Sequence, residues 1–229
     1  MSHLMIFIIT LATAPLKHQP DILQYAMTVN KTIGYRMELS FTGSRFTMEA
    51  EFQMASQVSD TLTVNAVITK LEWSGNAKTD KEINEGYKSY ISRQLYFKMT
   101  PSGKIIRPLT YKDTDEDASG AFDVKLFFPE YSDGKVGKGD SWQTKWPLTD
   151  FIFKSIQAKY TLKTDIGENA LIEMKCKYID PGKMGRKELD GVYIIDGTSR
   201  EVKNGKFKLS GFSGISNIFG SLTIDRLTN

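Results

Sequence analysis

Hydrophobic and polar residues alternate along most of the first third of the chain. Every second position is apolar from Ile33 to Phe41, from Phe46 to Met54 and from Leu62 to Ile68. The residues between them are polar or small, except for Val67. Period-two alternation of this kind is typical of a strand with one buried and one wet face. The run from Leu23 to Val29 predicts a further strand, and the short polar connections predict an antiparallel meander.

A short helix is predicted where the alternation ends, just after Trp73. Thr79 or Asp80 can cap this helix, and Ile83, Tyr87 and Tyr90 or Ile91 follow at helical spacing. The rest of the chain returns to strand patterns. Further strands are predicted at residues 94–99, 104–106, 138–146, 155–163, 170–178, 191–196, 199–202, 207–212 and 220–227.

Two segments in the second half need separate interpretation. Residues 203–206 contain an Asn-Gly pair between two strand patterns, which predicts a tight hairpin turn. Residues 122–128 are apolar, and their pattern leaves both helix and strand open.

The expected fold class is mainly β with a minor α component. We expect one large curved antiparallel sheet, or a half or partly closed barrel, with one or two short helices. The chain has 229 residues and shows neither a linker nor an internal repeat. Residues 15–229 are therefore expected to form a single β-rich domain, since all-β domains run past ~200 residues.

The N-terminus carries the pattern of a targeting segment. An apolar run from Leu4 to Leu11, too short to span a bilayer, precedes the small residues Ala12 and Ala14. Residues 1–14 are interpreted as a signal peptide or its remnant, which predicts an exported protein. A buried first strand and a start codon that clips a longer leader are the alternatives. No other stretch is apolar enough to cross a membrane.

Charge and histidine content narrow the function classes. The net charge of +3 is small and dispersed, so no nucleic-acid partner is expected. The two histidines, His3 and His18, lie in or near the suspected leader, which disfavours histidine-dependent nucleophilic catalysis and a histidine zinc site. We predict a protein that is not an enzyme, with no catalytic residues and no cofactor. A pair of carboxylates acting as in glycosidases stays open.

Three short patterns have a chemical and a structural interpretation. Asp113, Asp115 and Asp117 stand at the spacing of a calcium loop, but the glycine and glutamate that such a loop needs are absent. A solvated acidic loop is favoured, and no metal site is predicted beyond this candidate. The Asp196-Gly197 pair is interpreted as a turn after a strand. Cys176, the single cysteine, alternates with apolar neighbours and is interpreted as a buried structural thiol.

Methionine and aromatic residues are abundant at alternate sheet positions. They can line an adaptable cavity for an apolar ligand, although plain core packing explains the same pattern. The predicted ligand-lining residues are Met37, Phe46, Met48, Phe52, Met54, Trp73, Trp142 and Trp146. The predicted partner is a lipid or another apolar small molecule, and the pattern does not indicate any protein partner.

Several turn motifs carry a family resemblance. The motifs are Phe-Phe-Pro at 127–129, Gly-Asp-x-Trp at 139–142, Tyr-Thr-Leu at 160–162 and Asp-Gly-Thr at 196–198. Over residues 25–226 the chain resembles an uncharacterised family of exported, β-rich bacterial proteins of the Bacteroidetes type. The resemblance implies the periplasm or cell envelope of a Gram-negative bacterium, and it implies no activity. A more distant analogy is the half-barrel of periplasmic lipoprotein carriers, whose curved sheet shelters acyl chains.

These observations lead to three hypotheses on function. The first is a non-catalytic exported envelope protein that binds an apolar or amphipathic ligand in a curved β-sheet. The second is a structural or protein-interaction module with a filled core. The third is a carboxylate-based hydrolase.

Overall fold

The protein folds into strands with little helix. The structure, a computed structural model, describes residues 20–41, 43–75, 77–118, 123–146, 156–179, 186–213 and 216–228. The helical elements are α1 (Ala77–Tyr87) and one 3-10 helix (Val124–Leu126). The strands are β1 (Asp21–Ile22), β2 (Thr32–Phe41), β3 (Ser44–Val58), β4 (Thr61–Ser74), β5 (Gln94–Met99), β6 (Ile105–Tyr111), β7 (Lys135–Val136), β8 (Ser141–Trp146), β9 (Ile156–Leu162), β10 (Asn169–Ile179), β11 (Arg186–Asp196), β12 (Val202–Ser213) and β13 (Ser216–Leu227).

Eleven of these strands form one antiparallel sheet in the order β6-β5-β4-β3-β2-β13-β12-β11-β10-β9-β8. Neighbours in this order are consecutive in the chain except at the centre, where β2 pairs with β13. Local hairpins therefore build an N-terminal wing (β2–β6) and a C-terminal wing (β8–β13). The predicted class is confirmed: mainly β, one large antiparallel sheet not closed into a barrel, and one short α-helix.

One face of the sheet is apolar and buried, as the alternation predicts. In β3 the side chains of Phe46, Met48, Ala50, Phe52 and Met54 are all buried, while the residues between them face outward. The same period governs the C-terminal wing, where the inner face of β10 is made of Ala170, Ile172, Met174 and Cys176. The predicted burial of Cys176 is confirmed, with 2 % of its surface exposed.

The N-terminal segment shows that the sheet is strongly curved. The main-chain N–H of Tyr25 donates to the carbonyl of Pro101, and the next N–H, of Ala26, donates to the carbonyl of Ser199. Pro101 follows β5 and Ser199 follows β11, which would lie roughly 29 Å apart in a flat sheet of this order. Consecutive residues are only about 3.8 Å apart, so the two wings curl toward each other. Residues 20–31, named the strap, join the wings at one end.

The strand predicted from Leu23 to Val29 is not formed. Only Asp21–Ile22 pairs as a strand, with β7, although Leu23, Tyr25 and Met27 are buried at alternate positions. The strap crosses the end of the sheet. The N–H groups of Tyr25 and Ala26 bond to the carbonyls of two turns, and that of Asn30 bonds to Met54 of β3, so no single neighbouring strand pairs with the segment. Side chains at alternate positions of this segment are therefore buried although its backbone does not pair with a neighbouring strand.

The hairpin predicted at residues 203–206 is also wrong, and of its predicted first strand, residues 199–202, only Val202 belongs to a strand. β12 continues through the Asn-Gly pair, and Gly205 lies opposite Tyr193 of β11. A Cβ atom on Gly205 would lie 2.7 Å from a ring carbon of Phe207, so the glycine leaves room for that ring. The chain turns earlier instead, after Asp196, whose Oδ1 accepts the N–H groups of Thr198 and Ser199.

Helices make only a small contribution to the described structure. The predicted short helix is confirmed as α1, but it begins at Ala77, before the predicted caps Thr79 and Asp80, and ends at Tyr87, before Tyr90 and Ile91. The Asn84 side chain ties it to the main chain of Trp73 at the end of β4. In the part of the chain that the structure describes, no helix has the length and apolar character needed to cross a membrane.

Candidate functional site in the concave face

A segment between β6 and β7 covers the centre of the concave face. Residues 123–131 form this segment, named the plug, and it begins with the 3-10 helix at Val124–Leu126. Phe127 and Phe128 are buried, and both rings contact Phe52 of β3, with centroids 5.3 and 5.1 Å apart. The apolar residues that the alternation places on the inner face thus meet aromatic side chains supplied by the plug.

Aromatic side chains from three parts of the chain hold the plug by its main chain. The hydroxyl of Tyr25 donates to the carbonyl of Pro129 (2.9 Å). The indole N–H of Trp142 donates to the carbonyl of Glu130 (2.8 Å), and the hydroxyl of Tyr193 donates to that of Leu126 (3.2 Å). These donors lie in the strap, β8 and β11. The plug is therefore anchored largely by side chains.

Further bonds close the plug on itself and on the turns. The Nζ atom of Lys125 lies 2.7 Å from Oε2 of Glu130, and both side chains are largely buried. At its end, the main-chain N–H of Tyr131 donates to the carbonyl of Ser102, and the Tyr131 hydroxyl donates to that of Arg200. The plug thereby contacts the turn beyond β5 and the turn beyond β11, which belong to different wings.

The predicted ligand-lining residues do not all lie together. Met37, Phe46, Met48, Phe52 and Met54 are buried on the inner face of β2 and β3, and Phe52 lies directly under the plug.

The three tryptophans predicted to line a ligand do not lie together. Trp73 is half-buried at the end of β4 and contacts Phe41. Trp142 stacks on Tyr160 and holds the plug through its indole N–H. The side chain of Trp146 lies outside the described residues. Of the predicted lining residues, those on β2 and β3 thus lie on the inner face and Trp142 contacts the plug, whereas Trp73 lies apart from them at the end of β4.

The acidic loop is engaged by basic side chains. Asp113 pairs with Arg93 at 3.3 Å, and Asp115 pairs with Arg107 at 2.6 Å. Asp117 forms a main-chain β-bridge with Thr110. Within the described ranges, no group of three or more His, Cys, Asp or Glu residues is placed to hold a metal ion.

Three polar side chains buried in the interior were not predicted from the sequence. The hydroxyls of Tyr35 and Tyr160 and both carboxylate oxygens of Glu201 accept or donate no hydrogen bond within the described structure. Glu201 is 1 % exposed. Its Oε2 lies 3.0 Å from Nη1 of Arg226, an ion pair whose geometry does not form a hydrogen bond. Buried polar groups without partners are rare in native proteins, which makes this set the candidate site.

The register of the central strands explains how Arg226 enters the interior. Arg226 of β13 lies directly opposite Tyr35 of β2, and both belong to the alternation that faces inward. A charged residue at that position breaks the apolar pattern of β13, which is the one sequence signal that could have indicated the site. Glu201 carries no such signal, because it lies in a turn.

Burial makes these hydroxyls and the single thiol poor nucleophiles. Burial raises the pKa of Tyr35 far above its ordinary value, and the charge of Glu201 raises it further. Burial likewise raises the pKa of Tyr160, and it raises the pKa of Cys176 to about 12. All three groups stay protonated near neutral pH, so they act as neutral polar groups.

Comparison of the sequence with protein-family models and with curated proteins found no match.

Proposed function

We propose that the chain is a non-catalytic binding protein of the bacterial cell envelope that takes an amphipathic small molecule in its curved sheet. The apolar part of the ligand lies against the concave face, and its polar part reaches the buried polar groups around Tyr35 and the Arg226 guanidinium that Glu201 holds. The observation that carries this proposal is the set of interior polar atoms without hydrogen-bond partners.

The buried groups without hydrogen bonds favour a ligand because they destabilise the protein as it stands. A buried donor or acceptor without a partner costs about 1–3 kcal/mol. A ligand hydroxyl, amide or carbonyl that reaches Tyr35 would recover part of that cost. Such a polar group must be joined to an apolar body, since the surroundings are the rings of Phe52, Phe127 and Phe128.

The plug supports the proposal because it already places large apolar groups on the concave face. Burial of each phenylalanine contributes roughly 1.5–3 kcal/mol, and each anchoring hydrogen bond about 0.5–1.5 kcal/mol. A ligand that buries comparable apolar area can therefore replace Phe127 and Phe128. No sheet hydrogen bond need break, because the plug is anchored mainly by the side chains of Tyr25, Trp142 and Tyr193.

A structural or protein-interaction module is the second candidate. It is favoured by the same two phenylalanines, which occupy the centre of the concave face in the unliganded chain. In that case the plug is permanent, and function lies on the outer surface.

Binding of a neutral apolar dye separates the two candidates. N-phenyl-1-naphthylamine is titrated into the wild-type chain, into Phe128→Ala and into Phe219→Ala, a control in which an exposed outer-face aromatic is removed. If the concave face takes ligands, the wild type binds the dye, Phe128→Ala binds it several-fold more tightly and Phe219→Ala matches the wild type. Tyr193→Phe, which removes one plug anchor, is the milder second variant should Phe128→Ala fail to fold.

Absence of dye binding would favour the second candidate. A wild-type chain that binds no dye while folded, and variants that bind none either, favour the permanent plug. Native mass spectrometry of the protein purified from its own host then provides an independent check, because a binding protein should retain a small molecule.

A further inference from the structure

A cavity of about 540 Å³ lies at the end of the sheet where β2 begins and β13 ends. Its lining consists of Lys31, Thr32, Ile33, Lys203, Arg226, Leu227 and Thr228. This cavity is named the rim pocket. It adjoins the interior polar set, because Arg226 belongs to both.

We propose that the rim pocket binds an anionic group, a carboxylate or a phosphate. Lysine, arginine and threonine supply its polar lining, and among the described residues no acidic side chain lines it. Ammonium, guanidinium and hydroxyl donors converging on one space form the usual environment of a bound oxyanion. Ile33 and Leu227 provide an apolar wall beside them.

Glu201 fixes the position of the arginine at this site. Its carboxylate lies 3.0 Å from Nη1 of Arg226, on the buried side of the guanidinium. A guanidinium has five N–H donors, so this one contact leaves donors on its other nitrogens. The Arg226 side chain is 25 % exposed, which keeps part of it open to the pocket.

The two lysines differ in their surroundings. Lys203 is held by Asp196 at 3.1 Å and by the side-chain oxygen of Asn169 at 2.7 Å. Lys31 is exposed and has no ion-pair partner within the described ranges. Because Asp196 and Glu201 balance Lys203 and Arg226, Lys31 provides the uncompensated positive charge.

The rim pocket also specifies the ligand of the proposed function, and in this respect the inference rests on that proposal. The cavity opens beside Arg226, whose opposite neighbour in the sheet is Tyr35 of the concave face. An alkyl carboxylate or alkyl phosphate can therefore place its head group against Lys31 and Arg226 and its chain along the inner face.

Calorimetry with three matched probes tests the inference. Decanoate carries both chain and charge, decanol carries the chain alone, and inorganic phosphate carries the charge alone. We expect the full chain to bind decanoate at least tenfold more tightly than decanol at low ionic strength, with added salt removing the difference. Lys31→Gln should weaken decanoate binding about three- to tenfold and leave decanol binding unchanged. Lys104→Gln, at an exposed lysine in the turn after β5, is the matched control.

The outcomes distinguish the two proposals. Equal binding of decanoate and decanol, unaffected by Lys31→Gln, overturns the anion site and leaves the concave-face proposal standing. Binding of decanoate and phosphate that Lys31→Gln weakens, with no binding of decanol, supports the anion site and counts against the concave face. If no probe binds to the folded chain, both are overturned.

Discussion

The indole N–H of Trp142 donates a hydrogen bond of 2.8 Å to the main-chain carbonyl of Glu130. This bond joins the two most recognisable motifs of the chain, because Glu130 directly follows Phe-Phe-Pro and Trp142 ends Gly-Asp-x-Trp. The first motif supplies the plug rings and the second supplies an anchor for the plug. Both motifs therefore serve one contact across the concave face.

Trp142→Phe should lower the free energy of unfolding by about 1–3 kcal/mol, because it leaves the Glu130 carbonyl without this donor. The phenylalanine ring keeps much of the stacking on Tyr160. Urea unfolding followed by circular dichroism measures the change. Trp73→Phe is the matched control, since the Trp73 indole N–H donates no hydrogen bond in the described structure and its loss should cost less. Equal effects of the two substitutions would contradict the anchoring role.

Tyr35→Phe should leave the free energy of unfolding unchanged or raise it by up to about 1 kcal/mol. The substitution removes a buried hydroxyl that has no partner, and with it the desolvation cost. Tyr193→Phe is the comparison, because its hydroxyl bonds to Leu126 and its loss should lower the stability by about 1 kcal/mol. If Tyr35→Phe proves the more damaging change, the Tyr35 hydroxyl has a partner in solution.

Because of Asp196, the free energy of unfolding should decrease as the pH is lowered through the acid range. Burial raises its pKa, but the N–H groups of Ser199 and Thr198 and the charge of Lys203 outweigh burial and hold the pKa at about 2, below the ordinary 3.8. A carboxyl group whose pKa is lower in the folded state than in the unfolded state stabilises the fold at any pH above the unfolded-state pKa. This stabilisation is lost as the pH falls through the folded-state pKa.

Asp196→Asn should therefore lower the free energy of unfolding by about 2 kcal/mol at neutral pH. The difference from wild type should shrink below pH 4 and vanish only below pH 2, where the folded-state carboxyl group is itself protonated. Urea titrations at several pH values measure it, with Asp60→Asn in the turn after β3 as an exposed control. A difference that stays constant with pH would refute the assignment.

Cys176 should be protected from alkylation in the folded protein. Burial raises its pKa from 9.0 to about 12, which lowers the thiolate fraction roughly a thousandfold at a given pH. Iodoacetamide labelling followed by mass spectrometry should be slow in buffer and fast in urea, with the rate tracking the unfolded fraction. Rapid labelling without urea would show that β10 opens locally.

The alternation of residues was enough to predict the sheet, because in a strand each side chain points opposite to its neighbours. Phe46 to Met54 faces inward at every second position whatever the rest of the chain does. The predictions that were wrong lie where a tertiary contact determines the backbone conformation. Gly205 was predicted to turn the chain, but it makes room for the ring of Phe207, a contact that local sequence does not reveal.

The candidate site was far less predictable. Trp142 was predicted to line a ligand because it is aromatic, but its indole N–H instead binds the main-chain carbonyl of Glu130. Every residue has a main-chain carbonyl, so no sequence pattern indicates this contact. Glu201 lies in a turn, where acidic residues are ordinarily exposed, yet it is buried beside Arg226 of β13.

The sequence by itself determined that this chain forms an antiparallel sheet with one apolar face, since period two specifies which side of a strand each residue occupies. Only the tertiary structure decided what covers that face. The strap's alternation predicted a strand that does not form, and the plug has no period. Their contacts join residues 104 positions apart, as in Tyr25 and Pro129, or 67 apart, as in Leu126 and Tyr193. Such contacts arise when the curved wings bring distant segments together, which no local pattern specifies.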